Sequence, residues 1–306
     1  MTKSPESTTK GVIHKPVLVN EVLTYLNPQP QKVYLDVTFG GGGHTRAILE
    51  AEPTCKVIAM DWDASAIETF GLPLQEEFGD DRLTFIWSNF GDVYRKLKKQ
   101  GITVVDGVLA DFGTSQVQIF EKEGFSFSHD TPLDMRMSTA HYKVTAGLII
   151  NKAPEEKLRE IFAQLGEERQ AKRIAYFIVE ERKKNRIKTT LQLAQLIERV
   201  VPRTKHTKTH PATKVFQALR MYVNHELENL HSFLGTVGRV IRPGGHLVCI
   251  SFHSLEDRMV KDAFRQGEID GNWIQLTKKV VVATDEELVH NPSARSAKLR
   301  AVEILK

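Results

Sequence analysis

The sequence predicts an α/β fold: a mostly parallel, doubly wound sheet carrying an inserted all-helical domain. Three observations lead there. Apolar, β-branched runs alternate with helical periodicity as far as Asp111. The first of these runs opens directly into four glycines, Gly40 to Gly43. The alternation then breaks, and it resumes only at His210.

Taken in order, Met1 to Lys10 is polar and reads as a disordered tail, with neither a signal-peptide core nor an Arg-rich amphipathic character. His14-Lys-Pro-Val-Leu-Val-Asn-Glu21 leads into a helix ending before Pro28. Predicted strands follow at 33–39, 56–60, 83–87 and 104–110, the second closing on Asp61-Trp-Asp63 and the fourth on Asp111-Phe-Gly113. Asp63 is placed to cap a helix running to Phe70, and Ser88-Asn-Phe90 leads into another. Residues 114–137 read as an ordered loop. Helical patterns at 154–165, 168–184 and 190–200 carry Leu158, Ile161, Phe162, Ile174, Ile178, Leu193 and Ile197 at helical spacing, enough for a core of their own. The expected division is therefore 1–137 with 210–306 as one discontinuous domain and 138–209 as the insertion. His210-Pro-Ala-Thr213 opens one long helix with an apolar face from Phe216 to Leu234. Pro243-Gly-Gly245 turns into a fifth strand at 247–250, Ser254 is the expected cap of the next helix, and 274–283 and 297–305 close the sheet as antiparallel strands.

Composition narrows the class. The 306 residues are 41% hydrophobic and 26% charged, and no apolar run approaches the length of a membrane span. Cys55 and Cys249 alone offer neither a metal spacing nor a disulfide framework, so no metal and a cytoplasmic setting are expected. The net charge of +4 is unevenly placed: 152–214 holds 16 Lys or Arg against 8 Glu and no Asp. Such a block fits a polyanionic partner or a solvated helical surface.

A strand, a glycine turn and a helix bring backbone N–H groups close to a ligand. A dinucleotide site requires G-x-G-x-x-G; Gly40 and Gly42 fit, but Thr45 occupies the third place. An acidic residue before the turn, Asp36, and another ending the second strand, Asp61, suit a nucleoside cofactor without a pyrophosphate, S-adenosyl-L-methionine chief among them. Asp61 as a simple helix cap is the alternative. Asp111 and Gln118, at and beyond the end of the fourth strand, are expected to face cofactor and substrate. There is no G-x-S-x-G elbow, zinc-type Cys/His set or P-loop lysine, which sets aside hydrolase, deaminase and kinase chemistry.

The chain resembles the bacterial small-subunit ribosomal RNA N4-cytidine methyltransferase family (RsmH, also called MraW). The resemblance rests on His14-Lys-Pro-Val-Leu, Asp36-Val-Thr-Phe-Gly with Gly42-Gly-His44, Asp111-Phe-Gly-Thr-Ser, Gly124-Phe-Ser-Phe, Pro132-Leu-Asp-Met-Arg-Met137, His210-Pro-Ala-Thr, Phe216-Gln-Ala-Leu-Arg, Val223-Asn with Glu226-Leu, Ser251-Phe-His-Ser-Leu-Glu-Asp-Arg258 and Arg295-Ser-Ala-Lys-Leu-Arg300. It implies a class I (Rossmann-like) methyltransferase that methylates the exocyclic N4 amine of a cytidine in small-subunit (16S) ribosomal RNA, within an assembled or assembling subunit, using S-adenosyl-L-methionine. It puts the cofactor against Gly42, Gly43 and His44, with Asp61 on the ribose, Phe90 on the adenine, and Asp111 and Gln118 completing the pocket. The chain departs from the family where Ser115-Gln116-Val117-Gln118 replaces Ser-Ser-Pro-Gln, where Glu123 replaces an arginine, and between Lys261 and Lys279, which is shorter than usual.

A cytosine amine is a poor nucleophile because its lone pair is delocalised, so the site must accept a hydrogen bond from it and align it with the methyl group. Asp111 is the first candidate acceptor, with the backbone carbonyls of the turn from Phe112 to Ser115 as rivals. His253 is placed to order a loop, touch substrate or move a proton. Phe125 and Phe127 either stack on the base or pack in the core. Arg136, Arg220 and Arg258 either bind phosphate or form ion pairs, and Lys205 and Lys208 either contact RNA or belong to a charged linker. A homodimer stays open. Competing readings are methylation of another amine, a non-catalytic RNA-binding or assembly factor that keeps the cofactor pocket, and a dinucleotide oxidoreductase.

Overall fold

A computed structural model of the chain describes residues 15–113, 123–203 and 209–306. Eight strands make one sheet: β1 (Val33–Asp36), β2 (Lys56–Asp61), β3 (Leu83–Trp87), β4 (Val105–Asp111), β5 (Ile241–Ser251), β6 (Trp273–Gln275), β7 (Val281–Val282) and β8 (Lys298–Ile304). Their order is β3-β2-β1-β4-β5-β8-β6, with β7 also on β8. The first five strands pair in parallel, and β8 runs antiparallel to β5, β6 and β7. The winding therefore reverses between β1 and β4, the place where open α/β sheets leave a crevice beyond the strand ends.

The strands are buried on both faces because the sequence supplies apolar residues in both registers. Leu35, Ile58, Met60 and Val108 point into one core with Phe233 and Leu247, while Tyr34, Val57, Ala59 and Leu109 point into the other with Val248 and Leu299. Period-two alternation decides which residue serves which layer.

A third core is all helical and reaches beyond 138–209, drawing on residues from Leu133 and Met135 to Val223. Val215, Phe216 and Leu219 of the helix Thr213–Val223 pack here, whereas Leu230, Phe233 and Leu234 of Glu226–Leu234 pack on the sheet. The single helix expected after Thr213 is thus two. The break falls at Asn224 and His225, the latter left-handed at φ 51°. Buried Asn224 accepts from Met137 N at 2.8 Å and donates to Met135 O at 2.7 Å, which ties this corner to the Pro132–Met137 segment. An apolar stripe continuous in sequence therefore serves two cores.

Other differences have local causes. Thr145 caps an unforeseen helix, Ala146–Lys152, by accepting from Leu148 N. His253, not Ser254, caps Ser254–Ile269, its side chain accepting from Glu256 N. β5 begins at Ile241, and its register against β4 shifts between Val105 and Gly107, so the Pro243-Gly-Gly245 stretch is absorbed within the strand. Asp63 caps its helix as expected.

Candidate active site

The crevice at the reversal of strand order is a cavity lined by Asp61 and Asp111 at the strand ends and by the glycine turn. Asp36, 1% exposed, sits behind it and is fully engaged: it accepts from Thr45 Oγ1 at 2.7 Å, Thr38 N at 3.1 Å and Thr38 Oγ1 at 3.4 Å. The Thr38 hydroxyl in turn accepts from Asp111 N at 2.7 Å, locking the ends of β1 and β4 together. Asp61 accepts from Gly40 N at 2.7 Å and Asp63 N at 2.9 Å, one bond on each oxygen. Each oxygen retains a lone pair for a ligand. Asp111 Oδ1 is buried without a hydrogen-bond partner.

Burial raises the Asp36 carboxyl above its ordinary value and pushes Asp61 and Asp111 each up to about 6. His44 Nε2 lies 2.8 Å from Val17 O; a carbonyl can only accept, so this nitrogen carries a proton. Its Nδ1 faces Asp111 Oδ2 at 3.7 Å. A cavity walled by carboxyls that resist ionisation, one with an unpaired oxygen, favours a cationic ligand.

The glycines divide their labour differently from the sequence expectation. Gly40, Gly41 and Gly43 line the cavity and Gly42 does not. Gly42, at φ +75°, turns toward Phe39, whose ring a Cβ would meet at 2.8 Å. A Cβ on Gly43 would lie 2.8 Å from the Pro16 ring, so glycine there lets the entering segment close over the cavity. Phe90 lines the far side, held at 5.5 Å from Phe112 and 5.8 Å from Phe233 between ring centroids.

A second cleft adjoins the first, lined in part by Phe125, Phe127, Arg220 and His253. Phe125 borders it half-buried, whereas Phe127 packs on Phe216 at 5.0 Å and His210 at 4.6 Å as part of the helical core's edge. Asp111 borders only the first cavity and His253 only the second. Glu226 and Glu256, which the sequence reading quoted within motifs but did not select as site residues, both line the first cavity. Among the described residues, Glu226, His253 and Glu256 are also grouped closely enough to share a cation. Arg220 already holds both Glu226 oxygens, at 2.8 and 2.9 Å, which answers that charge without a metal. Ser115, Gln118, Lys205 and Lys208 lie outside the described residues.

The sequence profile of the MraW methylase family matches residues 11–305. The chain belongs to the MraW methylase family. It is 43% identical to the ribosomal RNA small subunit methyltransferase H of Ehrlichia chaffeensis over 95% of this chain and 99% of that one. The corresponding protein of Thermotoga neapolitana is 43% identical over 95% and 96% of the two chains, and that of Rhizobium meliloti 46% over 95% and 87%.

Several MraW motifs prove architectural here. In Pro132–Met137, Arg136 grips Asp134 through Nε at 2.6 Å and a terminal nitrogen at 2.7 Å and also donates to Tyr142 O. Arg220 pairs with Glu226, and Arg258 reaches Glu167 at 3.2 Å while Ser254 Oγ donates to the same carboxylate at 2.6 Å. All three arginines named as phosphate ligands thus form ion pairs, the other reading open for them, and Arg258 fastens the helical insertion to the sheet. Sequence alone cannot separate these outcomes, because the partner carboxylates of Arg220 and Arg258 lie 6 and 91 residues away.

Proposed function

We propose that this MraW chain transfers a methyl group from S-adenosyl-L-methionine to the N4 amine of a cytidine in small-subunit ribosomal RNA. The observation that carries the reading is the acid-walled cavity at the strand-order reversal, with the unpaired Asp111 oxygen inside it. S-adenosyl-L-methionine brings two cationic centres, its sulfonium and its ammonium, and supplies an electrophilic methyl group when bound. Asp111 would receive a cationic end, Asp61 has lone pairs for ribose hydroxyls, Phe90 offers a ring face to adenine, and Gly41, Gly43 and His44 form the turn beneath. The second cleft, with Phe125 at its edge, suits an extruded pyrimidine.

Family membership favours ribosomal RNA over another amine substrate, and Thr45 bonded to Asp36 leaves no room for the third glycine of a dinucleotide site. The helical unit, drawn at 138–209 from the break in the strand–helix alternation and at 133–223 from packing, would grip the RNA. A cytoplasmic setting fits two buried free cysteines and a ribosomal substrate; among the described residues no helix is long and apolar enough to cross a membrane.

The test is to incubate purified small subunits lacking the modification with the protein and methyl-labelled cofactor, then map N4-methylcytidine. Label at one cytidine is the expected result; unlabelled ribosomal RNA sinks the proposal. Isolated RNA compared with assembled subunits fixes the physiological substrate, and sedimentation with and without RNA tests the homodimer.

A further inference from the structure

We propose that Glu256 is the acceptor for the exocyclic amine of the target base, selecting cytosine over uracil and taking the proton that the amine gives up. The proposal rests on the reading that the two adjoining cavities hold the methyl donor and the base. If so, the reacting nitrogen must lie at their common wall. Among the described residues, Phe112, Gly113, Phe252, Glu256 and Ser293 line both cavities. Among these, Glu256 alone carries a carboxylate, a group that accepts hydrogen bonds.

Its surroundings suit that task. Glu256 is 3% exposed, so an unpaired ligand group beside it would be costly and a matched one favourable. Oε2 accepts from Phe252 N at 2.9 Å, which fixes the carboxylate against the wall. Oε1 lies 3.0 Å from His253 Nε2 without forming a hydrogen bond. His253 Nδ1 accepts from Glu256 N at 3.4 Å, so in the neutral ring the proton sits on Nε2, a donor held beside Oε1. Each carboxylate oxygen keeps a free lone pair. Gly113 lets the Phe252 ring pack against the backbone at this wall, since a Cβ there would fall 2.5 Å from it. Asp111, the acceptor expected from sequence, borders only the first cavity and lacks this shared position.

The chemistry follows. A carboxylate accepts from the amino group of cytosine but repels the carbonyl oxygen that uracil presents at the same place. Accepting one N–H localises the nitrogen lone pair. That pair forms the new N–C bond as the methyl–sulfur bond breaks and its electrons stay on sulfur. The nitrogen then sheds one proton to Glu256, which passes it to water, so charge and atoms balance.

The test uses the full-length protein and RNA segments spanning the mapped cytidine. Three versions carry cytosine, uracil or pyrimidin-2-one, which lacks the amino group, at that position. With S-adenosylhomocysteine present, wild-type protein should bind the cytosine RNA about 5- to 150-fold more tightly than either analogue. Glu256→Gln should lose the preference over uracil and slow single-turnover methylation by about 100-fold or more. Gln keeps an oxygen for Phe252 N, and a thermal melt verifies the fold; the pyrimidin-2-one comparison needs no variant. Equal wild-type affinity for cytosine and pyrimidin-2-one overturns the proposal. So does a folded Glu256→Gln protein with unchanged preference and rate. If the wild type labels no ribosomal RNA, the functional reading itself falls and takes this proposal with it.

Discussion

Thr45 stands where a dinucleotide site would have its third glycine, and its hydroxyl donates to Asp36 at 2.7 Å across the glycine turn. The residue that spoils one cofactor motif thereby holds the buried carboxylate of another kind of site. Thr45→Val preserves shape and removes the donor, leaving Asp36 with its bonds to Thr38 only. A buried acceptor losing a partner should cost about 1–3 kcal/mol. Urea unfolding should show a lower midpoint with an unchanged slope, and cofactor affinity should fall with it. An unchanged midpoint would mean that Thr38 alone satisfies Asp36.

Asp111 and Asp61 make the site sensitive to pH. Burial raises each from 3.8 to about 6, so the fold favours the neutral acids. Their stabilising contribution is complete below about pH 4 and is lost as the pH rises through 6. Asp111→Asn should therefore be more stable than wild type at pH 7.5, by on the order of 3 kcal/mol, and no more stable at pH 4. A bound cation reverses the preference. Cofactor binding should release protons near pH 6, and wild-type affinity should rise from pH 5 to 7. In Asp111→Asn the affinity should be weaker and its pH profile flatter. Calorimetry in two buffers of different ionisation enthalpy measures both effects.

The sheet, its glycine turn and the acids at 36, 61 and 111 were legible because each follows from local pattern: apolar runs, Gly spacing and strand ends. The role of Gly42 was not, since it depends on Phe39 packing against the turn. Nor was the break at Asn224, whose side chain bonds to residues nearly ninety positions earlier. Glu226 and Glu256 were missed for the same reason. Both stand in quoted motifs, but a role at the cavity depends on how the helices Glu226–Leu234 and Ser254–Ile269 dock beside the crevice.

The half-buried Arg220–Glu226 pair lies between the two cavities, Arg220 lining one and Glu226 the other. Glu226→Gln removes the charged partner of a half-buried guanidinium and should cost about 1–3 kcal/mol. Arg258→Ala breaks a pair whose side chains are 58% and 45% exposed, so its effect should stay below about 1 kcal/mol. Chemical denaturation of the two variants ranks them. A reversed order would show that Arg220 is held mainly by something other than Glu226.

Arg136, Arg220 and Arg258 each pair with a carboxylate, and the basic block offers further exposed cations that would meet RNA. Lys183, Lys184, Arg186 and Lys188 are exposed around the end of the helix Ala171–Lys184. Lys183 already pairs with Glu180 at 2.5 Å, which singles out the other three. Charge reversal of Lys184, Arg186 and Lys188 together should weaken RNA binding at low salt while leaving cofactor affinity and the melting temperature near wild type. Removing each cation–phosphate pair should also flatten the dependence of log affinity on log salt by roughly 0.7 to 0.9. The counterpart, Arg220→Met, should leave that slope unchanged. If Arg220→Met flattens the slope and the triple reversal does not, the RNA backbone runs through the cleft and not over the helical unit.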